Sequence, residues 1–359
     1  MKRKFAAALL LSALSMSSLA GCSQNENSQP SFEEPMNYAQ ASISGFGGMR
    51  SSFITPEGMV IPVQYRDDER GGYRNAFALY NQDGSLSFLN SDPANGCDGD
   101  HLIACSFSES VTAVQFIQAG DSVYYVLPQM NQEDGGAALE VVTMKLDGSG
   151  RKVLFSEPWN LGNTSPFLFA AHQGKLYFHA PGSTELTEFD VASGKKETLF
   201  TFEENQEPDN IFLAGDQGYI HFPLYQGKTG VTLNWTLGSD ELSEWKTNTK
   251  MAYIGEDSSI YYADQASWLD QEGQDPVKLV DTETGHFLVS DDYIAWSGTD
   301  STGQDGLKLF DRNGNLLSEA ATDSGETLMA LTPEGIFTST KVYPIQNQQI
   351  QSPSSLTGV

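Results

Sequence analysis

Residues 167–180 read FLFAAHQGKLYFHA: an apolar run from Phe167 to Ala171, a turn at His172-Gln173-Gly174, then Leu176-Tyr177-Phe178-His179. Two short apolar and aromatic runs around a glycine turn form a β-hairpin pattern, too short for a helix and without helical period. The same pattern returns along the chain as SSFITPEGMVIPV (51–63), AVQFIQAGDSVYYV (113–126), NIFLAGDQGYIHFP (210–223), MAYIGEDSSIYYAD (251–264), HFLVSDDYIAWS (286–297) and LMALTPEGIFTST (328–340). Anchored at Phe53, Phe116, Phe169, Phe212, Tyr253, Phe287 and Met329, the seven copies are spaced by 63, 53, 43, 41, 34 and 42 residues. Most of these intervals suit one four-stranded β-sheet per repeat.

The second half of each repeat carries its own signal. FALYNQDGSLSFL (77–89), VVTMKLDGSGRKVLF (141–155), LTEFDVASGKKETLF (186–200) and LKLFDRNGNLLSEA (307–320) each place Gly or Asp/Asn between two β-rich runs. Those residues accept the positive φ that tight hairpins require. A lone sheet cannot bury both faces, so seven of them are expected to pack face to face around an axis. Tyr124, Tyr125, Tyr177, Phe178, Tyr261, Tyr262 and Trp296 share places in the repeat and are read as inter-sheet core. The expected class is all-β, a β-propeller of seven four-stranded blades, with six or eight as alternatives. The Asp147-Gly148-Ser149-Gly150 turn and its relatives resemble the outer hairpins of bacterial TolB-like propellers, which implies the same fold. The last repeat counts one strand short, with strands expected near Thr327–Leu331, Gly335–Tyr343 and Ile345–Ile350. Residues 36–44 are therefore expected to supply its fourth strand, so that an N-terminal strand joins the last blade and removes an open edge.

The chain begins MKRKFAAALLLSALSMSSLAGCSQ: a basic Lys2-Arg3-Lys4, an apolar Phe5–Leu14 and then small residues, an export signal too short to span a bilayer. Leu19-Ala20-Gly21-Cys22 resembles the bacterial lipobox, which implies that Cys22 is lipidated and becomes the first mature residue; the alternative is an ordinary secretory signal. Several acyl chains at about 0.8 kcal/mol per buried methylene hold a protein stably on a membrane. The organisation is then a signal peptide over 1–21, a polar flexible tether over 22–35, the propeller over 36–351 and a disordered tail over 352–359. Localisation follows: lipid-anchored at the cell membrane, facing outside the cytoplasm, at the cell surface or in a periplasm. Ser23 after the cysteine would permit outer-membrane sorting.

Without the signal, 17 Lys+Arg oppose 47 Asp+Glu, which excludes nucleic acid as a partner and disfavours a flat anionic lipid surface. Cys97 and Cys105 bracket CDGDHLIAC, and an oxidising compartment favours a disulfide between them. The alternatives are reduced thiols or metal ligands with Asp98, Asp100 and His101, although no calcium-loop spacing is present.

GxSxG, HExxH, CxxC, Walker A and GxGxxG are all absent, and no length remains for a separate hydrolase domain. No catalytic residue, metal or cofactor is expected. A quinone-type propeller is a weaker rival, since DVASGKKETLF has Phe where its docking repeat has Trp. His172, His179 and His221 fall in adjacent repeats but are read as occupying different places, which speaks against a shared site. Carboxylates at the first turn of each repeat (Glu57, Asp121, Asp216, Glu256, Asp257, Asp291, Asp292, Glu334) are read as turn chemistry rather than as a cation collar. Binding is expected on excursions from the blades: RDDERGGYR with Arg66, Asp68, Arg70, Tyr73 and Arg74, the Cys97–Cys105 loop, Asn131–Ala137, and a Trp268-Leu269-Asp270 loop with an exposed Trp268. The reading is a non-catalytic binding or scaffolding protein of the envelope, its partner a protein, peptide or glycan. The alternative is a sugar or peptide hydrolase or lyase with carboxylates in the funnel.

Overall fold

The computed structural model describes residues 53–55, 58–66, 73–81, 86–88, 115–120, 122–130, 137–145, 150–159, 167–323, 325–338 and 340–355. These residues contain strands and turns and no helix. Blade 1 is β1 (Phe53–Thr55), β2 (Gly58–Arg66), β3 (Tyr73–Asn81) and β4 (Leu86–Phe88); blade 2 is β5 (Gln115–Ala119), β6 (Ser122–Met130), β7 (Ala137–Lys145) and β8 (Lys152–Trp159). Blade 3 is β9 (Leu168–His172), β10 (Lys175–His179), β11 (Glu185–Asp190) and β12 (Lys196–Thr201); blade 4 is β13 (Asn210–Ala214), β14 (Gln217–Tyr225), β15 (Lys228–Thr236) and β16 (Ser243–Lys246). Blade 5 is β17 (Lys250–Ile254), β18 (Ser258–Ala263), β19 (Ala266–Gln271) and β20 (Val277–Val280); blade 6 is β21 (His286–Val289), β22 (Tyr293–Thr299), β23 (Asp305–Asp311) and β24 (Leu316–Ala321). Blade 7 is β25 (Leu328–Thr332), β26 (Gly335–Thr338) and β27 (Lys341–Gln346), followed by β28 (Gln349–Ile350) and β29 (Ser354–Ser355).

Each sheet is an antiparallel meander in chain order; six have four strands and the last has five. The innermost strands touch in succession from β5 through β9, β13, β17, β21 and β25, and β25 also meets β2 of blade 1. The molecule is a seven-bladed β-propeller, as the repeat count anticipates.

Strand alternation explains how one sequence pattern serves two neighbours. On β13, Ile211 and Leu213 pack into the core shared with blade 3, while Phe212 and Ala214 pack into the core shared with blade 5. On β9, Leu168 and Ala170 face blade 4, and Phe169 and Ala171 face blade 2. Successive side chains point to opposite faces of a strand, so an innermost strand between two blades must be apolar throughout. Of the aromatic residues read as core, Tyr124, Tyr125, Tyr177, Phe178, Tyr262 and Trp296 are buried and Tyr261 is half-buried. The outer pair of strands shows a register shift in blades 2 to 6, and such bulges add the twist that a blade needs.

The last blade departs from expectation. The segment read as one strand over Gly335–Tyr343 is two, β26 and β27, so the blade is not a strand short. The outer edge of β27 is taken by the chain's own end: Ile345 and Gln346 pair with β28, and Lys341 and Val342 with β29. Ser354 and Ser355, read as frayed tail, thus belong to the sheet. Residues 36–44, expected to close the ring, lie outside the described residues, as do 1–35 and Cys22.

Candidate functional site

In an antiparallel meander, the turns between second and third strands and the connectors between blades emerge at one end of every sheet. This end is the connector face. The second and third strands of blades 1, 2 and 4 are nine residues long, against five and six in blade 3. In blade 4 the pairing with β13 stops at His221, so residues 222–225 stand about 13 Å above it at roughly 3.3 Å per residue. The β2–β3 and β6–β7 hairpins rise past β1 and β5 in the same direction.

Arg66 and Tyr73 are cross-strand partners at the top of the β2–β3 ladder, and Arg74 stands opposite Tyr65. The cysteine-bearing segment leaves β4 and returns at β5, again on the connector face, and Asn131–Ala137 joins β6 to β7 there. The roots of all three excursions therefore share one face, although Asp68, Arg70, Cys97 and Cys105 themselves lie outside the described residues. Trp268 requires a correction: it lies on β19, half-buried, with its indole N–H donating to the Ala263 carbonyl at 3.0 Å. Its place in the ladder opposite Tyr261 rules out the exposed loop that composition suggested.

Between blades 4 and 5 the connector face holds a cleft of about 380 Å³. His221, Thr229 and Gly230 form one wall and Tyr262 and Asp264 the other, over a floor of Asn248, Thr249 and Lys250. The floor is strapped to blade 4 by Asn248 N–H to the Thr229 carbonyl (3.0 Å) and Thr249 N–H to the Gly230 carbonyl (3.2 Å). Gly230 has φ +56°, and a Cβ there would lie 2.3 Å from the Thr249 oxygen, so only glycine allows this approach.

His221 organises the cleft. It is 2% exposed; Nδ1 lies 2.5 Å from Asp209 Oδ1 and Nε2 2.9 Å from the Thr249 carbonyl. The ring thus ties the connector before its blade to the connector after it. With both nitrogens occupied, it offers no base to a substrate. The carboxylates of Asp209, Asp264 and Glu283 share the cleft with Lys250, whose ammonium lies 5.8 Å from the Tyr262 ring centre. Glu283 accepts from the Gln265 N–H at 2.5 Å, and among the described residues no group of three or more His, Cys, Asp or Glu is placed to hold a metal ion. The arrangement suits a polar ligand held by hydrogen bonds. His221→Leu should cost about 1–3 kcal/mol, because it removes both hydrogen bonds of a buried ring. Asp209→Ala should cost less, since it removes one of the ring's two bonds and leaves Nε2 on the Thr249 carbonyl; urea unfolding of both variants checks the order.

The reading that the histidines occupy different places fails for two of them. His179, His221, Tyr262, Ser297 and Thr338 each stand opposite the first residue of the innermost strand of their blade, and all five are buried. They form a polar belt beneath the connectors. Tyr262 Oη donates to the Gly285 carbonyl at 2.7 Å, and Thr338 Oγ1 donates to the Glu326 carboxylate. Opposite the cleft, of the first-turn carboxylates Asp257 pairs with Arg312 at 3.0 Å, while Glu57 and Asp121 lie outside the described residues.

No family model matches the chain, and no curated protein matches it. Solved structures do. The β-propeller domain of the trilobed protease from Pyrococcus furiosus, reported with an open velcro topology, aligns at TM-score 0.52 and 11% identity, over 86% of this chain and 97% of that one. An acylaminoacyl peptidase in complex with a chloromethyl ketone aligns at TM-score 0.53 and 12% identity over 89% of this chain, which spans about half (53%) of the peptidase. TolB from Acinetobacter baumannii is similar at TM-score 0.40 and 13% identity. At such identities the likeness is one of fold: the chain is a β-propeller.

Proposed function

We propose that the protein is a non-catalytic binding or scaffolding protein of the cell envelope, held to the membrane by lipid on Cys22, and that its connector face receives a protein, peptide or glycan partner. One observation carries the reading. The raised hairpins of blades 1, 2 and 4, the roots of the three long excursions and the blade 4/5 cleft all occupy a single face, whereas the blades are committed to packing against each other. The export signal and the Leu19-Ala20-Gly21-Cys22 motif support the location. The committed nitrogens of His221 weigh against catalysis in the cleft.

Photo-crosslinking residues placed at Arg66, Tyr73 and Asp264 on the connector face, and at Asp190 and Asn313 on the opposite face, test this in cells. Adducts are expected from the first set, and the Cys22→Ala chain should leave the membrane fraction. Adducts confined to the second set, or turnover of an envelope glycan or peptide by the purified protein, would overturn the reading.

A further inference from the structure

Most lysines of the described residues pair with a carboxylate, Lys228 and Lys246 of blade 4 among them. Lys250 does not: among the described residues it has no ion pair, although Asp209, Asp264 and Glu283 line the same cleft. It is the first residue of β17, opposite Tyr262 in the ladder, and its ammonium lies 5.8 Å from the centre of that ring. Two of the three carboxylates are already engaged, Asp209 with the His221 ring and Glu283 with the Gln265 N–H. Asp264 is not. It stands two residues beyond Tyr262 at the tip of the β18–β19 hairpin, with φ +52°, and its side chain has no hydrogen bond or ion pair to any described residue. The cleft thus presents one uncompensated cation on its floor and one uncompensated carboxylate on its wall.

We propose that the blade 4/5 cleft takes a small zwitterion of the amino-acid type, a free α-amino acid or a short peptide, with its carboxylate on Lys250 and its ammonium on Asp264. This rests on the binding role of the connector face proposed above and names the ligand of one site on it. A purely cationic ligand would meet the Lys250 ammonium, and a purely anionic one would meet three carboxylates. A ligand carrying both charges leaves neither side of the cleft unmatched, and wrong pairings of charge are what exclude competitors. Asp209 and Glu283 add a negative field that draws the ammonium end in. At about 380 Å³ the space falls at the lower end of the roughly 300–1,000 Å³ of small-molecule sites.

Saturation-transfer NMR titrations on the purified full chain test the proposal, with glycine and triglycine as probes, each also in its N-acetylated and its amidated form. At least one uncapped probe should bind, and the tighter of the two tells amino acid from peptide. Capping either of its ends should weaken binding at least about tenfold, the effect of losing a hydrogen bond to a charged group. Lys250→Met should weaken the uncapped probe by a similar factor and bring it within about threefold of its amide. Asp264→Asn should do the same for the uncapped and N-acetylated probes. Both side chains are exposed, so neither change should disturb the fold. Failure of both uncapped probes to bind, capped probes that bind as well as uncapped ones, or a tenfold gap that persists in the two variants would each overturn the proposal. Cross-links that still form at Arg66 and Tyr73 would then separate the loss of this ligand from a failure of the wider reading.

Discussion

Trp235→Ala is expected to remove about 3–5 kcal/mol of stability, the range for a large aromatic side chain deleted from a core. Trp235 is 1% exposed and lies on β15 in the core between blades 3 and 4, edge-on to Phe200 at 5.9 Å and tilted against Tyr177 at 6.2 Å. Its indole covers Gly218, the residue directly across the ladder, and a Cβ at Gly218 would lie 2.2 Å from Cζ2 of the ring. Gly218→Ala alone should therefore cost at least the 1–3 kcal/mol of an overpacked core. In the Trp235→Ala background the same change should cost little or become stabilising, since the obstruction is gone and alanine loses less entropy than glycine. Denaturant unfolding of the four chains measures the coupling. Equal costs for Gly218→Ala in both backgrounds would mean that the indole does not rest on this glycine.

That contact shows where sequence reading succeeds and where it stops. The fold was legible because a propeller repeats its information: an apolar strand, a tight polar turn and an aromatic strand, as in FLFAAHQGKLYFHA, mean little once and a great deal seven times. Gly218 was not legible as a packing glycine, because its partner lies 17 residues away on another strand and nothing local distinguishes it from a turn glycine. The last blade misled for a related reason. Ser354 and Ser355 carry no β signal of their own, and they are strand because Lys341 and Val342 present an unfilled edge.

The site was legible in outline only. Long insertions are visible as departures from the repeat interval, and the topology places their roots on one face without any appeal to side chains. The cleft left no trace, since it forms between blades: His221, Thr249 and Asp264 are brought together by packing, and each belongs to a different strand or turn. The equivalence of His179 and His221 was hidden by turn length. Aligning FLFAAHQGKLYFHA with NIFLAGDQGYIHFP on the turn glycines 174 and 218 leaves the two histidines two positions apart, and only the ladder registers, His179 opposite Leu168 and His221 opposite Asn210, correct the offset. Trp268 failed in the opposite direction, because an aromatic residue beside Asp270 reads as surface until the Lys246–Asp270 ion pair and the Ala263 carbonyl are seen to hold both in the sheet.

Deleting residues 349–359 should cost about 3–5 kcal/mol and turn the protein aggregation-prone. β28 is a seam rather than an ornament: Gln349 Nε2 donates to the Leu317 carbonyl at 2.7 Å and Ile350 N–H to Ser318 Oγ at 3.1 Å, both on β24 of blade 6. Gln351 N–H donates to the Pro344 carbonyl of β27 at 2.8 Å, and Ile350 packs against the core shared by blades 6 and 7. At about 1 kcal/mol for each net hydrogen bond, these three bonds give the lower end of the range, and the four ladder pairs with the half-buried isoleucine give the rest, less the entropy of ordering the segment. The larger consequence is topological. Without the segment, the six-residue β27, paired only with β26, presents an open outer edge, and such an edge recruits other strands. Thermal unfolding with light scattering separates the effects: the truncated chain should melt earlier and scatter in proportion to concentration. A truncated chain that melts and scatters like the intact protein would mean that the C-terminal pairing is not what seals the outer edge of β27.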